Sequence, residues 1–287
     1  AEVACLPRVV AKEQLPAATA QNQATMGISV LAGPPIGGLL YGISRTLPFV
    51  GDAVSYIISV ISLFAIKARF QGERPAQRRR LLAEIGEGLR WLWSHPLIRF
   101  MAFLTGLLNL VGSGTFLIMI VIAQHQGANS FEIGLIGTIA AIGGIFGSVV
   151  GGFIQRRFTF GQVIIASVWL ETLSWPFMAI APNFILLGVI AAINFMTAPI
   201  YNVVQFSYRM ALIPDELQGR VNSAFRLLAF GFQPIGFALT GILLGWRGGV
   251  ETVLIFAVFF LAVAIMTQAN ASVRHAQPIQ KVASATE

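Results

Sequence analysis

Eight apolar runs of about 20 residues constrain the fold of this chain more than any other feature of its sequence. They cover 24–42, 49–67, 98–123, 131–154, 161–181, 184–205, 223–245 and 250–270. A helix of that length spans the hydrocarbon core of a bilayer, where the backbone finds no hydrogen-bond partner in lipid. Because the runs are continuous rather than alternating, they favour helices over barrel strands. The sequence therefore predicts an all-α polytopic membrane protein.

Composition and charge agree with that class and give the chain an orientation. Only 11% of the 287 residues are charged, against about 25% in soluble domains, and the mean hydropathy is +0.76. All of the 19 Lys and Arg residues except Arg45 and Arg247 fall on one side of the predicted spans. The positive-inside rule makes that side cytoplasmic, with both termini of this chain. The net charge of +7 then reflects topology, and we expect no nucleic-acid partner.

A basic linker follows the second span. Its apolar side chains fall on one face of a predicted amphipathic helix: Leu81, Ile85, Leu89 and Leu92. Its charged side chains fall on the opposite face: Glu84, Glu87 and Arg90. Either Arg78, Arg79 and Arg80 attract this helix to anionic lipid, or positive-inside anchoring of the linker alone explains the arginines.

Several stretches resemble one family of transporters. Gly33-Pro34-Pro35-Ile36-Gly37-Gly38 in the first span matches the G-P-x-x-G-G signature of antiporters of the major facilitator superfamily. The stretches FVGDAVSYIISVISLF, RRRLLAEIGEGLRWLWSHPLIRF and IPDELQGRVNSAFRLL resemble the bacterial branch that includes enterobactin and macrolide exporters. The resemblance covers essentially the whole chain, and it implies a drug:proton antiporter of the bacterial inner (plasma) membrane, monomeric at full length.

The resemblance also implies a domain plan. The first span corresponds to the fifth family helix and the last to the twelfth, so the chain resembles an N-terminally truncated copy with about eight of twelve transmembrane helices. Residues 1–67 would be the remnant of the N-terminal six-helix half, and 68–97 the cytoplasmic linker. Residues 98–270 would be the C-terminal half, and 271–287 a cytoplasmic tail.

Glycines in the first and fourth spans predict close helix packing, because small residues let helices approach in lipid. The first span carries Gly33, Gly37 and Gly38, and the fourth carries a stripe of Gly134, Gly137, Gly144, Gly147 and Gly151. In the family fold these helices meet where the two halves touch. We therefore hypothesise that Gly33 and Gly37 pack against Gly134 and Gly137 and seal the outward side. Ordinary packing within one half is the alternative.

Two acidic residues are candidates for handling protons or substrate. Glu171 is the only acid near the middle of a span, and it is either a proton relay or a protonated structural carboxyl. The resemblance implies a peripheral position for its helix, away from the central cavity. Asp52 begins the second span, where it either caps the helix or places a charge near the outward mouth.

The third and sixth spans correspond to cavity-lining helices in the family. Their polar candidates are Asn109, Asn194, Tyr201, Asn202 and Gln205, mixed with aromatic residues. They either contact an amphipathic solute or form interhelical hydrogen bonds. Candidate cytoplasmic gate residues are Arg156, Arg157, Glu216 and Arg220, which positive-inside anchoring also explains.

The preferred function is proton-coupled export of an amphipathic small molecule, such as a drug, macrolide or siderophore-like compound, by alternating access. The alternatives are a non-transporting membrane fragment and an intramembrane enzyme. The sequence has no G-x-S-x-G, H-E-x-x-H or G-x-x-x-x-G-K motif, so we expect no enzyme. The single Cys5 excludes a cysteine metal site, and we expect no cofactor or metal.

Overall fold

The structure, a computed structural model, describes residues 15–64 and 81–276. Within those ranges every regular element is helical. The helices are α1 (Leu15–Ile43), α2 (Leu47–Phe64), α3 (Leu81–Ser94), α4 (Pro96–Gly112), α5 (Thr115–His125), α6 (Ser130–Arg157), α7 (Phe160–Ser174), α8 (Phe177–Ile180), α9 (Phe184–Leu212), α10 (Gln218–Gly231), α11 (Gln233–Arg247), α12 (Gly249–Ala269) and α13 (Ala271–Arg274).

Six segments of the described chain are long and apolar enough to cross a membrane. They are Pro96–His125, Ser130–Arg157, Phe160–Ile180, Phe184–Leu212, Gln218–Arg247 and Gly249–Ala269. The first two predicted spans correspond to the shorter apolar stretches Ile28–Ile43 and Leu47–Ser62. The predicted class, an all-α polytopic membrane protein, is confirmed.

The described residues divide into two compact units, 15–64 with Asn129–Thr138 and 81–128 with 139–276. In the first unit, α1 runs unbroken through Pro34 and Pro35. Pro35 lacks the N–H that would bond the carbonyl of Leu31 four residues earlier. The hydroxyl of Thr138 donates to that carbonyl instead, at 3.1 Å. A neighbouring helix thus satisfies a backbone group that the proline leaves free.

Close helix contact in the first unit depends on two glycines. A Cβ on Gly38 would overlap the backbone oxygen of Ser130, and a Cβ on Gly134 would overlap the carbonyl of Pro34. Among the described residues, no atom lies within 4 Å of a Cβ built on Gly33 or Gly37. The close contact between α1 and α6 therefore involves Pro34 and Gly38. These two residues directly follow Gly33 and Gly37, the glycines of our hypothesis.

Asp52 does not cap α2. The helix begins at Leu47, which places Asp52 in its second turn. Pro48 explains the earlier start, because a proline in the first turn gives up an N–H that has no partner inside the helix. Asp52 is exposed, and its backbone oxygen accepts a hydrogen bond from the hydroxyl of Ser55 at 2.7 Å.

The second unit has one apolar core, contributed by α3, α4, α7, α9, α10, α12 and α13. Outside this core, Trp175 is the largest fully buried side chain among the described residues. The Trp175 indole N–H donates to the carbonyl of Val253 at 3.0 Å, and its ring lies 4.9 Å from that of Phe260. Burial of large aromatic rings with a satisfied polar atom stabilises the packing of Trp175 against α12.

Two of the six long segments are interrupted near the middle of their length. Pro96–His125 breaks between α4 and α5 at Ser113 and Gly114, and Gln218–Arg247 breaks between α10 and α11 at Phe232. The interrupted helices are in contact, because a Cβ on Gly114 would overlap the side chain of Thr240, and one on Gly236 would overlap the backbone oxygen of Leu110. Glycines thus allow the breaks to meet.

The linker helix α3 packs on the protein through its predicted apolar face. Leu92 is fully buried, and a Cβ on Gly88 would overlap the backbone oxygen of Arg220 at the start of α10. Glu87, on the charged face, forms an ion pair with the guanidinium of Arg220. Arg78, Arg79 and Arg80, on which the anionic-lipid hypothesis rests, lie outside the described residues.

Candidate functional site

A cavity of about 240 Å³ lies in the second unit at the two helix breaks. Its walls come from α4, α7 and α9, with residues from the ends of α5 and α11. Apolar side chains such as Leu108, Trp175 and Phe195 alternate with polar ones. A largely apolar pocket with a few placed polar groups is typical of sites for small organic molecules.

Five of the sequence-predicted residues lie in the wall of this cavity: Asn109, Glu171, Asn194, Tyr201 and Asn202. Three of them form interhelical hydrogen bonds. The amide of Asn109 donates to the carbonyl of Ala229 at 2.8 Å, the Tyr201 hydroxyl bonds that of Thr105 at 2.8 Å, and the Ser174 hydroxyl donates to the Asn194 amide oxygen. These bonds join α4 to α10, α9 to α4, and α7 to α9, so they fix the cavity wall.

Glu171 differs from those three. It is half-buried on α7 and lines the cavity beside Trp175. Its carboxyl group has no hydrogen-bond or ion-pair partner among the described residues. The structure places this residue in the same cavity wall as Asn109 and Asn194, within the second unit. A carboxyl group inside a membrane domain is energetically expensive, and by default it suggests a functional role.

Among the lining residues that the sequence analysis missed are Ser113, Thr115 and Gln233. All three flank the helix breaks. Ser113 donates to the carbonyl of Leu110 at 3.1 Å and is 3.4 Å from that of Gln233. The available signals were the Gly-Ser-Gly triplet at 112–114 and the proline after Gln233, since broken helices carry such residues and often line transport sites.

The remaining candidates lie elsewhere. Gln205 is buried one turn beyond Tyr201 and does not line the cavity. Arg156 and Arg157 occupy the last turn of α6, where cations interact favourably with the helix dipole. Glu216 lies in a 3₁₀ turn, Asp215–Leu217, before α10.

The inner part of the glycine stripe packs on α9. A Cβ on Gly147 would overlap the backbone oxygen of Met196. Cβ atoms on Gly144 and Gly151 would lie 3.7 Å from Phe195 and 3.4 Å from Ile200. Gly137 is half-buried. For the three inner glycines this is packing within one unit, the alternative that the sequence left open.

Membrane-length helices, two of them broken at a partly polar cavity, define a multi-pass membrane protein of the transporter class. A model of the Major Facilitator Superfamily matches residues 1–225. The chain belongs to that superfamily.

Curated relatives carry the names of exporters. The chain is 26% identical over 255 residues to the Multidrug efflux pump Tap of Mycolicibacterium fortuitum, covering 85% of this chain and 60% of that protein. It is 24% identical over 240 residues to the Enterobactin exporter EntS of Shigella boydii serotype 18 and of Escherichia coli O1:K1, covering 83% of this chain and 57% of each relative. The chain thus spans about three fifths of the length of these relatives.

Proposed function

We propose that this chain forms the solute cavity of a proton-coupled exporter of amphipathic small molecules in a bacterial plasma membrane. The observation that carries the proposal is the unpaired carboxyl of Glu171 in the wall of a largely apolar cavity. Membership of the superfamily and the exporter names of bacterial relatives support the same function.

The lining of the cavity favours an amphipathic solute. Leu108, Trp175 and Phe195 offer apolar and aromatic contact, and Asn202 is a lining residue whose amide forms no hydrogen bond with the rest of the described chain. Such a surface binds flat or branched organic molecules with a few polar groups better than sugars or inorganic ions. Drugs, macrolides and siderophore-like compounds have this character.

Glu171 is the proposed proton carrier. A neutral carboxyl is less costly than a carboxylate in this half-buried position, so a change of exposure to water during transport would change its protonation. The broken helices that line the cavity supply elements that can rearrange as access alternates between the two sides of the membrane. Arg156 and Arg157 keep their proposed role in sealing the inner side. Gly33 and Gly37 do not keep theirs on the outer side, because no described atom lies within 4 Å of a Cβ built on either residue.

An efflux assay tests this function. Cells without their own drug pumps would express this chain, be loaded with ethidium or erythromycin, and be followed with and without a protonophore. We expect faster efflux than from empty-vector cells and loss of that difference with the protonophore. Glu171→Gln at equal membrane abundance should lose the dependence on external pH, because the amide takes up no proton.

The exposed Glu251, at the start of α12, provides a matched control. Glu251→Gln removes the same charge away from the cavity, and its efflux should equal that of the unchanged chain. If cells with the chain in their membrane retain as much ethidium or erythromycin as empty-vector cells, the non-transporting alternative is favoured instead. Efflux that persists with the protonophore would refute proton coupling.

A further inference from the structure

Four buried side-chain atoms in the described chain lack a hydrogen-bond partner, and all four belong to residues on α9 and α10. They are the Nε2 of Gln205, the Nε and Nη1 of Arg209, and the Oδ1 of Asn222. Nearly all buried polar groups in folded proteins have a partner, so such a cluster is a candidate ligand-binding position.

The three residues are close together. Gln205 and Arg209 are four residues apart on α9 and therefore share one face. The Arg209 guanidinium lies 3.8 Å from the ring centre of Phe225 on α10, one turn after Asn222. The Asn222 amide donates to the sulfur of Met210, the neighbour of Arg209, at 3.4 Å.

The chemistry of the cluster selects an anion. Arg209 and Gln205 are each only 5% exposed, and their three unpartnered nitrogens are all donors. No acidic side chain of the described residues pairs with Arg209, and the nearby Arg226 adds positive potential. The face of Phe225 compensates only part of the cost of burying a cation. A carboxylate would accept from the guanidinium in the geometry that arginine recognises best.

We propose that Arg209 and Gln205, whose unpartnered nitrogens are donors, form a subsite for the carboxylate group of the transported solute. Gln205 and Arg209 follow the cavity residue Tyr201 by one and two turns of α9, so Arg209 lies about 12 Å along the axis from Tyr201. A solute whose apolar body occupies the cavity would extend its charged end along this face. The assignment to a solute rests on the proposed export function, and it adds carboxylate-bearing compounds to the amphipathic molecules that the cavity accepts.

Titration calorimetry on the purified full chain in detergent, in a low-salt buffer that contains no carboxylate, tests the subsite. The probes are salicylate and salicylamide, which share a ring but differ in charge. We expect salicylate to bind and salicylamide to bind at least about tenfold more weakly, because charge-assisted hydrogen bonds are lost. Arg209→Gln should weaken salicylate binding by a similar factor, and Gln205→Leu by less.

Arg247→Gln is the matched control, since it removes an arginine that is exposed and lies elsewhere on α11. Its salicylate affinity should be unchanged. If Arg209→Gln does not fold, Arg209→Lys and Gln205→Leu test the same site, and both should bind salicylate more weakly.

Equal binding of the two probes, or unchanged salicylate binding in the folded Arg209 variant, would overturn the proposal. Chloride binding at affinity equal to that of salicylate would overturn the assignment to a solute carboxylate. Because binding is measured without transport, a chain that binds salicylate but exports nothing refutes only the export function. A chain that exports neutral compounds but shows no preference for salicylate refutes only the subsite.

Discussion

Pro34 and Pro35 lie in the interior of α1, where each proline removes one backbone N–H. In lipid the carbonyl that loses its partner cannot turn to water. The hydroxyl of Thr138 on α6 donates to the Leu31 carbonyl that Pro35 leaves free. One side chain on another helix thereby makes a proline tolerable within α1.

Thr138→Val tests this interaction, because valine keeps the shape of threonine and lacks the hydroxyl. We expect the free energy of unfolding to fall by about 1 kcal/mol, the usual net value of one hydrogen bond, and somewhat more if the Leu31 carbonyl stays buried without a partner. Thermal unfolding of the purified chain in detergent measures the change. Thr138→Ser retains the hydroxyl and should stay close to the unchanged chain; equal loss in both variants would contradict the explanation.

At the scale of elements, the breaks at α4/α5 and α10/α11 fit together only because glycine stands at the contact. Gly236, in the first turn of α11, faces the backbone oxygen of Leu110 and the hydroxyl of Ser113. Gly241, on the same helix, would place a Cβ where no described atom lies within 4 Å. The two glycines therefore form a matched pair for substitution.

Gly236→Ala should lower the free energy of unfolding by about 2 kcal/mol, because the added methyl group overlaps backbone that cannot easily move. Gly241→Ala should leave it unchanged or raise it by about 0.5–1 kcal/mol, because alanine is the better helix former. Thermal unfolding in detergent again gives the comparison. If both substitutions changed the free energy of unfolding equally, the result would contradict the close contact between the broken helices.

Helix positions and the amphipathic face of α3 were predictable from the sequence, whereas helix partners were not. The pattern of Ile85, Leu89 and Leu92 predicted an amphipathic helix, but not that Glu87 would reach Arg220, 133 residues away. Hydropathy likewise identified Asn109 as a polar residue in an apolar span. Its acceptor on Ala229 depends on how the helices pack, which local pattern does not contain. The prediction that Asp52 begins the second span was wrong, because Pro48 allows the helix to begin earlier, at Leu47.

At the scale of the whole molecule, the distribution of positive charge predicts the topology, with both termini of this chain in the cytoplasm. A phosphatase that is active only outside the cytoplasm, inserted after Gly127 between α5 and α6, should be active. The same enzyme fused after residue 287 should be inactive, whereas a fluorescent protein fused there should fluoresce. The reverse pattern would contradict the orientation.

The cavity wall was predictable in part. Asn109, Asn194, Tyr201 and Asn202 were singled out as polar residues on two spans, and the structure places all four around one space. The contribution of Glu171 and of Gln233 was not predictable, because it depends on how α7 packs and on where a long helix breaks. Their roles in transport stay predictions until solute movement is measured.

Thiol labelling tests the central claim, that this cavity holds the transported solute, most directly. The chain has a single cysteine, so Cys5→Ser combined with Ala198→Cys places one thiol on an exposed position of the cavity wall. Ala271→Cys on α13 is the control, exposed and outside the cavity. In proteoliposomes, the compound that is exported best should slow maleimide labelling at position 198 and leave position 271 unaffected. Equal labelling rates at position 198 with and without saturating compound would contradict the account.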